Sequence, residues 1–237
     1  HEIIKELSKL PVELAITTNG VFVHEFIDTF KKAGIHAVNV SLDSLKKERN
    51  FSISGRDEFE RVTKNINLLL KNDFHVKINV VVMKDVNDDE IQEFIAWTAL
   101  QPVHVRFIEF MPFTGNQWNN KKVISCNEIL ETISGKYSYN KLPDKKNDTA
   151  KKYFVPGHQG TFAIISSMTQ PFCRGCNRMR LTTDGKMKNC LFSKNETDIL
   201  GALRKGMDIV PLIKQCLSEK EESLGGQFTA MQYNLVA

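Results

Sequence analysis

Four strand-like segments alternate with amphipathic helical patterns in the first half of the chain. The strand-like segments span residues 13–20, 36–44, 75–83 and 103–111, and each is rich in β-branched or apolar residues. Between them, apolar residues recur at helical spacing, as at Phe59, Val62, Ile66 and Leu69. Strand alternating with helix predicts right-handed βαβ units, and therefore an α/β fold with a parallel sheet.

Polar residues interrupt these strands on one face. Strands covered by helices on both faces usually read as continuous apolar runs, and these do not. The residues that share the polar face are Thr17 and Asn19, then Asn39, Ser41 and Asp43, then Lys77 and Asn79. Each could be a strand-end residue that forms a cap or a turn. Since three strands agree, we favour a polar ligand cavity near the carboxyl ends of the strands.

The strand count and the start of the sequence both suggest missing structure. Four strands cannot close a barrel, and an open sheet leaves an edge to be covered. Residue 1 lies inside an apparent helix, so we expect an upstream segment to be absent. The pattern changes after Pro112, which predicts one domain over 1–112 and another over 113–237. The second domain is expected to contain a helix with a Ser125–Glu128 capping box, a surface loop over 141–152 and a hairpin near 158–160.

Composition narrows the class of protein. The 237 residues are 41% hydrophobic and 25% charged, and no apolar run approaches the roughly 20 residues that a membrane helix needs. The net charge of +4 is too small to indicate nucleic acid. We therefore expect neither a membrane nor a nucleic-acid partner. The odd number of cysteines, five, indicates a reducing compartment with thiols free to bind metal.

Three of the cysteines form a C-x2-C-x13-C pattern at Cys173, Cys176 and Cys190. A C-x2-C turn brings two thiolates to one metal, and a hairpin at Asp184–Gly185 would return Cys190 beside them. Zinc would need a fourth ligand, for which His158 is the candidate. An iron–sulfur cluster with three thiolates would leave one iron open. The other two, Cys126 and Cys216, are predicted to be small buried hydrophobes.

Arg178 and Arg180 lie two residues apart after the C-x2-C pair. Two planar guanidinium groups on one side of a strand suit a phosphate chain, whereas the alternative is a solvated strand face. An ideal two-residue hairpin would pair Thr183 with Lys186, and hence Met179 with Cys190. That register puts Cys190 on the face opposite the arginines. A bulge would be needed to bring the cysteines and arginines to one ligand.

The ordered segments ITTNG, NVSLD, VKINVVVM, RFIEFMPF and FCRGCNRMRLTTDGKMKNCLF resemble the GTP 3′,8-cyclases, the radical S-adenosylmethionine (SAM) enzymes that begin molybdenum-cofactor synthesis. The resemblance implies a partial (βα) barrel of the radical SAM type that lacks its first strands, with a C-terminal α+β extension carrying an iron–sulfur site. It implies conversion of GTP to (8S)-3′,8-cyclo-7,8-dihydroguanosine 5′-triphosphate, with SAM and two [4Fe–4S] clusters. SAM would supply the radical that takes the ribose 3′ hydrogen.

The resemblance also implies roles for individual residues, although it identifies no catalytic side chain. The C-terminal [4Fe–4S] cluster is implied on Cys173, Cys176 and Cys190, with its open iron ligated by the guanine of GTP. Contacts to GTP are implied for Thr17, Lys77, Arg106, Arg178 and Arg180. Contacts to SAM are implied for Ser41 and Met111.

The sequence departs from the family pattern in two places. It contains neither the C-x3-C-x2-C motif of the SAM-cleaving cluster nor the GGEP-type strand after it. It ends YNLVA, with Gly225–Gly226 internal, where the family usually ends in Gly-Gly. We therefore expect a fragment that lacks about two βα units and is inactive alone. The alternatives are a non-catalytic module that binds GTP and a [4Fe–4S] cluster, and a Cys3His structural zinc protein.

Partners and location follow from the resemblance alone. It implies GTP as the ligand and cyclic pyranopterin monophosphate synthase as the next enzyme of the pathway. It leaves a homodimer open. The expected compartment is the cytoplasm, or the mitochondrial matrix in a eukaryote.

Overall fold

The computed structural model describes residues 1–113 and 115–226, which form two compact units. The first unit comprises residues 1–144 and 150–165, and the second comprises 145–149 and the residues from 166 onward. The predicted domain boundary at 112–113 lies inside the first unit. The chain end YNLVA, predicted to differ from the family pattern, lies outside the described residues.

The first unit is built on a seven-stranded sheet of order β1-β2-β3-β4-β7-β6-β5. Neighbours from β1 to β4 pair in parallel, β7 joins β4 in parallel, and β6 and β5 follow antiparallel. The strands are β1 Ala15–Thr18, β2 Ala37–Ser41, β3 His75–Val82, β4 His104–Glu109, β5 Asn140–Lys141, β6 Lys151–Phe154 and β7 Thr161–Ile165.

Six helices accompany this sheet within the described part of the first unit. They are α1 Glu2–Leu7, α2 Val23–Lys32, α3 Lys47–Ser54, α4 Phe59–Lys71, α5 Ile91–Leu100 and α6 Cys126–Ser134. Helix α4 packs on β3, and α5 packs on β4 and β7. Among the described residues, none of the helices combines the length and the apolar composition needed to cross a membrane.

Alternate residues of the central strands form the apolar core. Val38, Val76, Ile78, Val105 and Phe162 are fully buried at 0% exposure. Because side chains alternate across a strand, the residues between them face the other side of the sheet. The helices therefore cover one face, and the polar residues of the sequence pattern share the opposite face.

The four predicted strands are confirmed, as is the capping box, in which the Ser125 hydroxyl accepts from the backbone N–H of Glu128. The predicted hairpin near 158–160 joins β6 to β7. Strand β7 adds to β4 and extends the sheet beyond the four predicted strands, a pairing that no pattern in the sequence indicates. The predicted surface loop over 141–152 is wrong at its ends, because Lys141 closes β5 and Lys151 begins β6.

Up to residue 226, the second unit holds a three-stranded antiparallel sheet of order β10-β9-β8 and two helices. The strands are β8 Arg180–Leu181, β9 Lys186–Lys188 and β10 Thr197–Asp198, and the helices are α7 Ile199–Arg204 and α8 Val210–Ser218. Short 3-10 turns form at Cys173–Gly175 and Leu224–Gly226. Helix α8 packs on β9 and β10 through its buried Cys216 side, as predicted for that cysteine.

Candidate functional site

The polar face of the first unit consists of two rows that cross the sheet. Strand register aligns the first row, which is Thr17, Asn39, Lys77, His104 and Thr161. The second row lies two residues further along β2, β3, β4 and β7, and it continues onto the antiparallel strand β6. Its members are Ser41, Asn79, Arg106, Ala163 and Lys152. The register therefore brings together four residues for which the resemblance implied a ligand contact: Thr17, Ser41, Lys77 and Arg106.

A chain of hydrogen bonds connects the two rows. The Arg106 guanidinium donates to the Asn39 carboxamide oxygen at 3.2 Å, and the Asn39 amide nitrogen donates to the Thr17 hydroxyl at 3.0 Å. Since Arg106 lies on β4 and Asn39 on β2, the arginine side chain passes over β3. The Asn79 carboxamide oxygen is buried on β3 and has no hydrogen-bond partner among the described residues.

The polar face carries positive charge. Burial lowers the pKa of Lys77, and the nearby cations Arg106 and Lys152 lower that pKa further. Burial also lowers the pKa of His104 to about 3, with smaller contributions from His75 and the same cations. His104 is therefore neutral at physiological pH, and its Nδ1 lies 2.7 Å from the Thr161 hydroxyl. The face can stabilise an anion and offers neutral hydrogen-bonding groups around it.

Two residues of the predicted polar face have structural roles instead. The Asn19 side-chain oxygen accepts the backbone N–H of Val21 at 3.1 Å, which forms a turn. The Asp43 carboxylate accepts the backbone N–H of Val81 at 2.8 Å, and burial raises the pKa of that carboxyl. The turn interpretation holds for Asn19, whereas Asp43 instead bonds to the backbone of β3.

Ser41 and Met111, the residues implied to contact SAM, lie at the carboxyl ends of β2 and β4, the two strands that flank β3. Ser41 is the last residue of β2 and is exposed, and Met111 follows β4 by two residues and is half-buried. The Met111 carbonyl accepts from the Asn116 side chain at 2.7 Å, which fixes the backbone after β4.

Three further residues of the two rows were missed as site candidates: His104, Thr161 and Lys152. His104 lay in a predicted strand, where alternation with Arg106 places it on the polar face. Lys152 was assigned to a surface loop. Lys152 also lies in the strand-like run KKYFVPG that predicts the hairpin near 158–160, and its alternation with the buried Tyr153 is the signal that places it on the polar face.

The hairpin of the second unit has a register that differs from the predicted one. Arg180 pairs with Lys188 and Leu181 with Met187, so Thr182 lies opposite Lys186. The loop thus contains three residues rather than two, and Gly185 closes it at a φ of +78°. The predicted pairing of Met179 with Cys190 is wrong, because the extra loop residue shifts the ladder by one. The observed ladder ends with the pair Arg180 and Lys188, and Arg178 and Cys190 lie beyond it.

Cys173 and Cys176 lie on the 3-10 turn and are held by the segment that follows α8. The backbone N–H of Leu224 donates to the Cys173 sulfur at 3.4 Å. The Lys220 ammonium lies 3.8 Å from the Cys176 sulfur and donates to the Arg178 carbonyl at 3.0 Å. Both sulfurs therefore accept hydrogen bonds from N–H donors of the segment that follows α8.

The described residues include no group of three or more His, Cys, Asp or Glu side chains arranged to hold a metal ion. The predicted convergence of the three sulfurs is thus not seen among the described residues, where Cys173 and Cys176 instead accept hydrogen bonds from the segment after α8. The donor set itself fits an iron–sulfur cluster, since three partly exposed thiols lie within one unit. His158, the fourth-ligand candidate for zinc, belongs to the first unit, where its Nδ1 lies 2.8 Å from the Thr98 hydroxyl.

The two arginines have different environments. The Arg178 guanidinium donates to the Thr149 hydroxyl at 2.7 Å, and its side chain is exposed. Arg180 begins β8 and is half-buried.

The ligands of a SAM-cleaving cluster are not found in this sequence, which has no C-x3-C-x2-C motif.

Comparison with known proteins gives two family matches. Residues 103–225 match the family described as Molybdenum Cofactor Synthesis C, and residues 1–98 match the Radical SAM superfamily. The first match covers strand β4, the β8–β9 hairpin and all five cysteines.

Curated relatives agree with these matches. Molybdenum cofactor biosynthesis protein 1 of Drosophila melanogaster is 41% identical over 86% of this chain and 36% of its own length. The mitochondrial GTP 3′,8-cyclase of Arabidopsis thaliana is 40% identical over 88% of this chain and 54% of its own length. The GTP 3′,8-cyclase of Alkaliphilus oremlandii is 39% identical over 81% of this chain and 60% of its own length. The chain thus spans between about a third and three fifths of the length of these relatives.

Proposed function

Because this chain belongs to the Molybdenum Cofactor Synthesis C family and carries a Radical SAM superfamily match, we propose that it is part of a GTP 3′,8-cyclase. The proposed reaction converts GTP to (8S)-3′,8-cyclo-7,8-dihydroguanosine 5′-triphosphate. The observation that carries the proposal is the strand register, which aligns Thr17, Lys77 and Arg106 on one cationic face. SAM and its [4Fe–4S] cluster, when bound, supply the radical chemistry of the family.

On the first unit, we assign binding and positioning roles. Lys77 and Arg106 neutralise phosphate charge, since both are cations in a partly buried setting. The Thr17 hydroxyl, held by Asn39, offers a hydrogen bond of fixed direction. Ser41 and Met111, at the carboxyl ends of β2 and β4, are assigned to SAM. Holding GTP in one orientation in this way contributes to the near-attack geometry that ring closure needs.

On the second unit, Cys173, Cys176 and Cys190 are proposed to hold a [4Fe–4S] cluster through three thiolates, which leaves one iron open for the guanine. Arg178 and Arg180 are proposed to contact the phosphates of GTP. The assignment is supported by the three free, partly exposed thiols and the two arginines all belonging to one unit.

Partners and compartment stay predictions. The proposed product would pass to cyclic pyranopterin monophosphate synthase, and a homodimer stays open. The cytoplasm and the mitochondrial matrix are both compatible with the family, one of whose Arabidopsis members is named as mitochondrial.

Iron analysis of the full chain tests the cluster. After anaerobic reconstitution, we expect a brown protein with about four irons per chain. Cys173→Ser and Cys190→Ser should lose most of this iron. Cys216→Ser is the matched control, because Cys216 is a cysteine of the same unit outside the proposed ligand set, and it should keep its iron. A colourless protein with one zinc per chain would contradict the cluster assignment and favour the Cys3His alternative.

Binding of GTP tests the substrate. We expect GTP to perturb the electron paramagnetic resonance spectrum of the reduced cluster, and Arg178→Ala with Arg180→Ala to weaken binding. An unchanged spectrum with normal iron content would sink the substrate-anchor role. The last outcome concerns catalysis. If the chain binds GTP but the whole protein, with its SAM-cleaving cluster, forms no cyclised product, the protein is a non-catalytic module that binds GTP and a [4Fe–4S] cluster.

A further inference from the structure

Lys152 lies on the polar face beside Arg106, with one small residue between them. Arg106 pairs with Ala163 on β7, and Ala163 pairs with Lys152 on β6. Residues directly opposite each other in a sheet share a face, so Lys152 and Arg106 face the same side. Their Cα atoms are two strand spacings apart, or about 10 Å. Ala163 is buried and fills little of the space between these two long side chains.

The charge of this region is that of an anion site. Lys152 and Arg106 both lie close enough to depress the pKa of Lys77, so three cations lie around one part of the face. Among the groups that act on Lys77, only Glu13 is acidic. Three clustered cations in partly buried positions repel one another, and a polyanion bound among them would relieve that repulsion.

We propose that Lys152 is a further phosphate-contacting residue of this face, which binds the triphosphate chain of the ligand together with Lys77 and Arg106. The inference rests on the proposed function for the identity of the nucleotide, and on the sheet register for the placement of the lysine. An ammonium on a flexible stem acts on phosphate as a point charge, so it contributes affinity for the phosphate chain and none for the base or the ribose.

The test compares Lys152→Met with Lys32→Met in the full chain. Lys32 is an exposed residue in the last turn of α2, so its replacement removes the same charge away from the sheet face. Dissociation constants are measured for GTP and for guanosine. We expect Lys152→Met to weaken GTP binding by about tenfold, which corresponds to one charge-assisted hydrogen bond, and to leave guanosine binding unchanged. Lys152→Arg, which keeps the charge, should restore most of the GTP affinity.

The possible failures are distinguishable. If Arg106→Met weakens GTP binding and Lys152→Met matches the Lys32→Met control, the inference about Lys152 is overturned and the proposed function stands. If the chain binds inorganic triphosphate in a Lys152-dependent manner but does not bind GTP, the proposed function is overturned and the anion site stands. Binding of neither GTP nor inorganic triphosphate overturns both.

Discussion

Arg180 and Lys188 lie directly opposite each other in the antiparallel pair of β8 and β9. This register differs by one residue from that of a two-residue loop, which would pair Arg180 with Asn189. The difference decides which side chains accompany the arginines, since a shift of one residue moves every side chain of the returning strand to the other face. The three-residue loop closed by Gly185 is therefore what sets Lys188, and not Asn189, opposite Arg180.

Replacement of Gly185 by alanine should destabilise the second unit strongly. Gly185 has a φ of +78°, and a Cβ at this position would lie 2.3 Å from the Leu200 Cβ. Left-handed backbone strain and overpacking together should lower the free energy of unfolding by roughly 2–5 kcal/mol. Urea denaturation measures the change, and the reconstituted Gly185→Ala variant should also bind less iron.

Gly206→Ala is the matched control for this experiment. Gly206 has a φ of +70° and no atom within 4 Å of its added Cβ, so only backbone strain of about 1–2 kcal/mol is expected. If the two variants are equally stable, the contact with Leu200 does not constrain the hairpin.

The sequence was most informative where one pattern decides the structure. Apolar and β-branched residues located β1 to β4, and in β2, β3 and β4 buried apolar residues recur at every second position. Alternation also located Thr17, Ser41 and Lys77 on one face, whereas Arg106 was implied by the family resemblance alone. The sequence could not show that β7 pairs with β4, since partner choice depends on contacts between residues about 57 positions apart, such as His104 and Thr161. Nor could it fix the hairpin register, because an Asp-Gly pair is compatible with both two-residue and three-residue loops.

Replacement of Asn79 by leucine should stabilise the chain without ligand. The Asn79 carboxamide oxygen is buried with no partner among the described residues, and such a group costs about 1–3 kcal/mol. Leucine has a similar shape and removes the unpaired acceptor, so we expect a gain of about 1 kcal/mol in urea denaturation. Asn39→Leu should lose stability, because Asn39 bonds to both Thr17 and Arg106. A loss in both variants would show that the Asn79 oxygen is satisfied in solution.

Replacement of Glu90 by leucine should be among the most damaging changes in the first unit. The fully buried Glu90 carboxylate accepts from the Ser44 hydroxyl at 2.8 Å, from the Leu45 backbone N–H at 2.7 Å and from Arg49 at 2.7 Å. Its removal leaves buried donors unpaired, so a loss of about 3–5 kcal/mol is expected in thermal or urea unfolding. Glu58→Gln, which removes a surface ion pair with Arg61, should cost about 1 kcal/mol or less. Equal losses would mean that the Glu90 network adds nothing beyond a surface pair.

His104 should make the first unit sensitive to acid. Its pKa is lowered to about 3 in the folded chain, chiefly by burial, against about 6.5 for an unfolded histidine. Between about pH 3 and pH 6.5, His104 is therefore protonated in the unfolded chain and neutral in the folded chain. The stability that this residue contributes is fully present above about pH 6.5, and it is lost as the pH falls from about 6.5 towards 3. The loss amounts to at most about 1.4 kcal/mol per pH unit.

His104→Gln should flatten this acid limb, because glutamine keeps a polar group near Thr161 and takes up no proton. Burial and the nearby Lys77 also lower the pKa of His75, so a weaker slope of the same sign should persist in the variant. Urea denaturation at pH 7, 6 and 5 gives the free energy of unfolding at each pH. The wild type should lose more stability than His104→Gln between pH 6 and 5, and the difference should vanish above pH 7. Parallel pH profiles for the two proteins would mean that His104 is protonated in the folded chain, and that the cationic face tolerates a further positive charge.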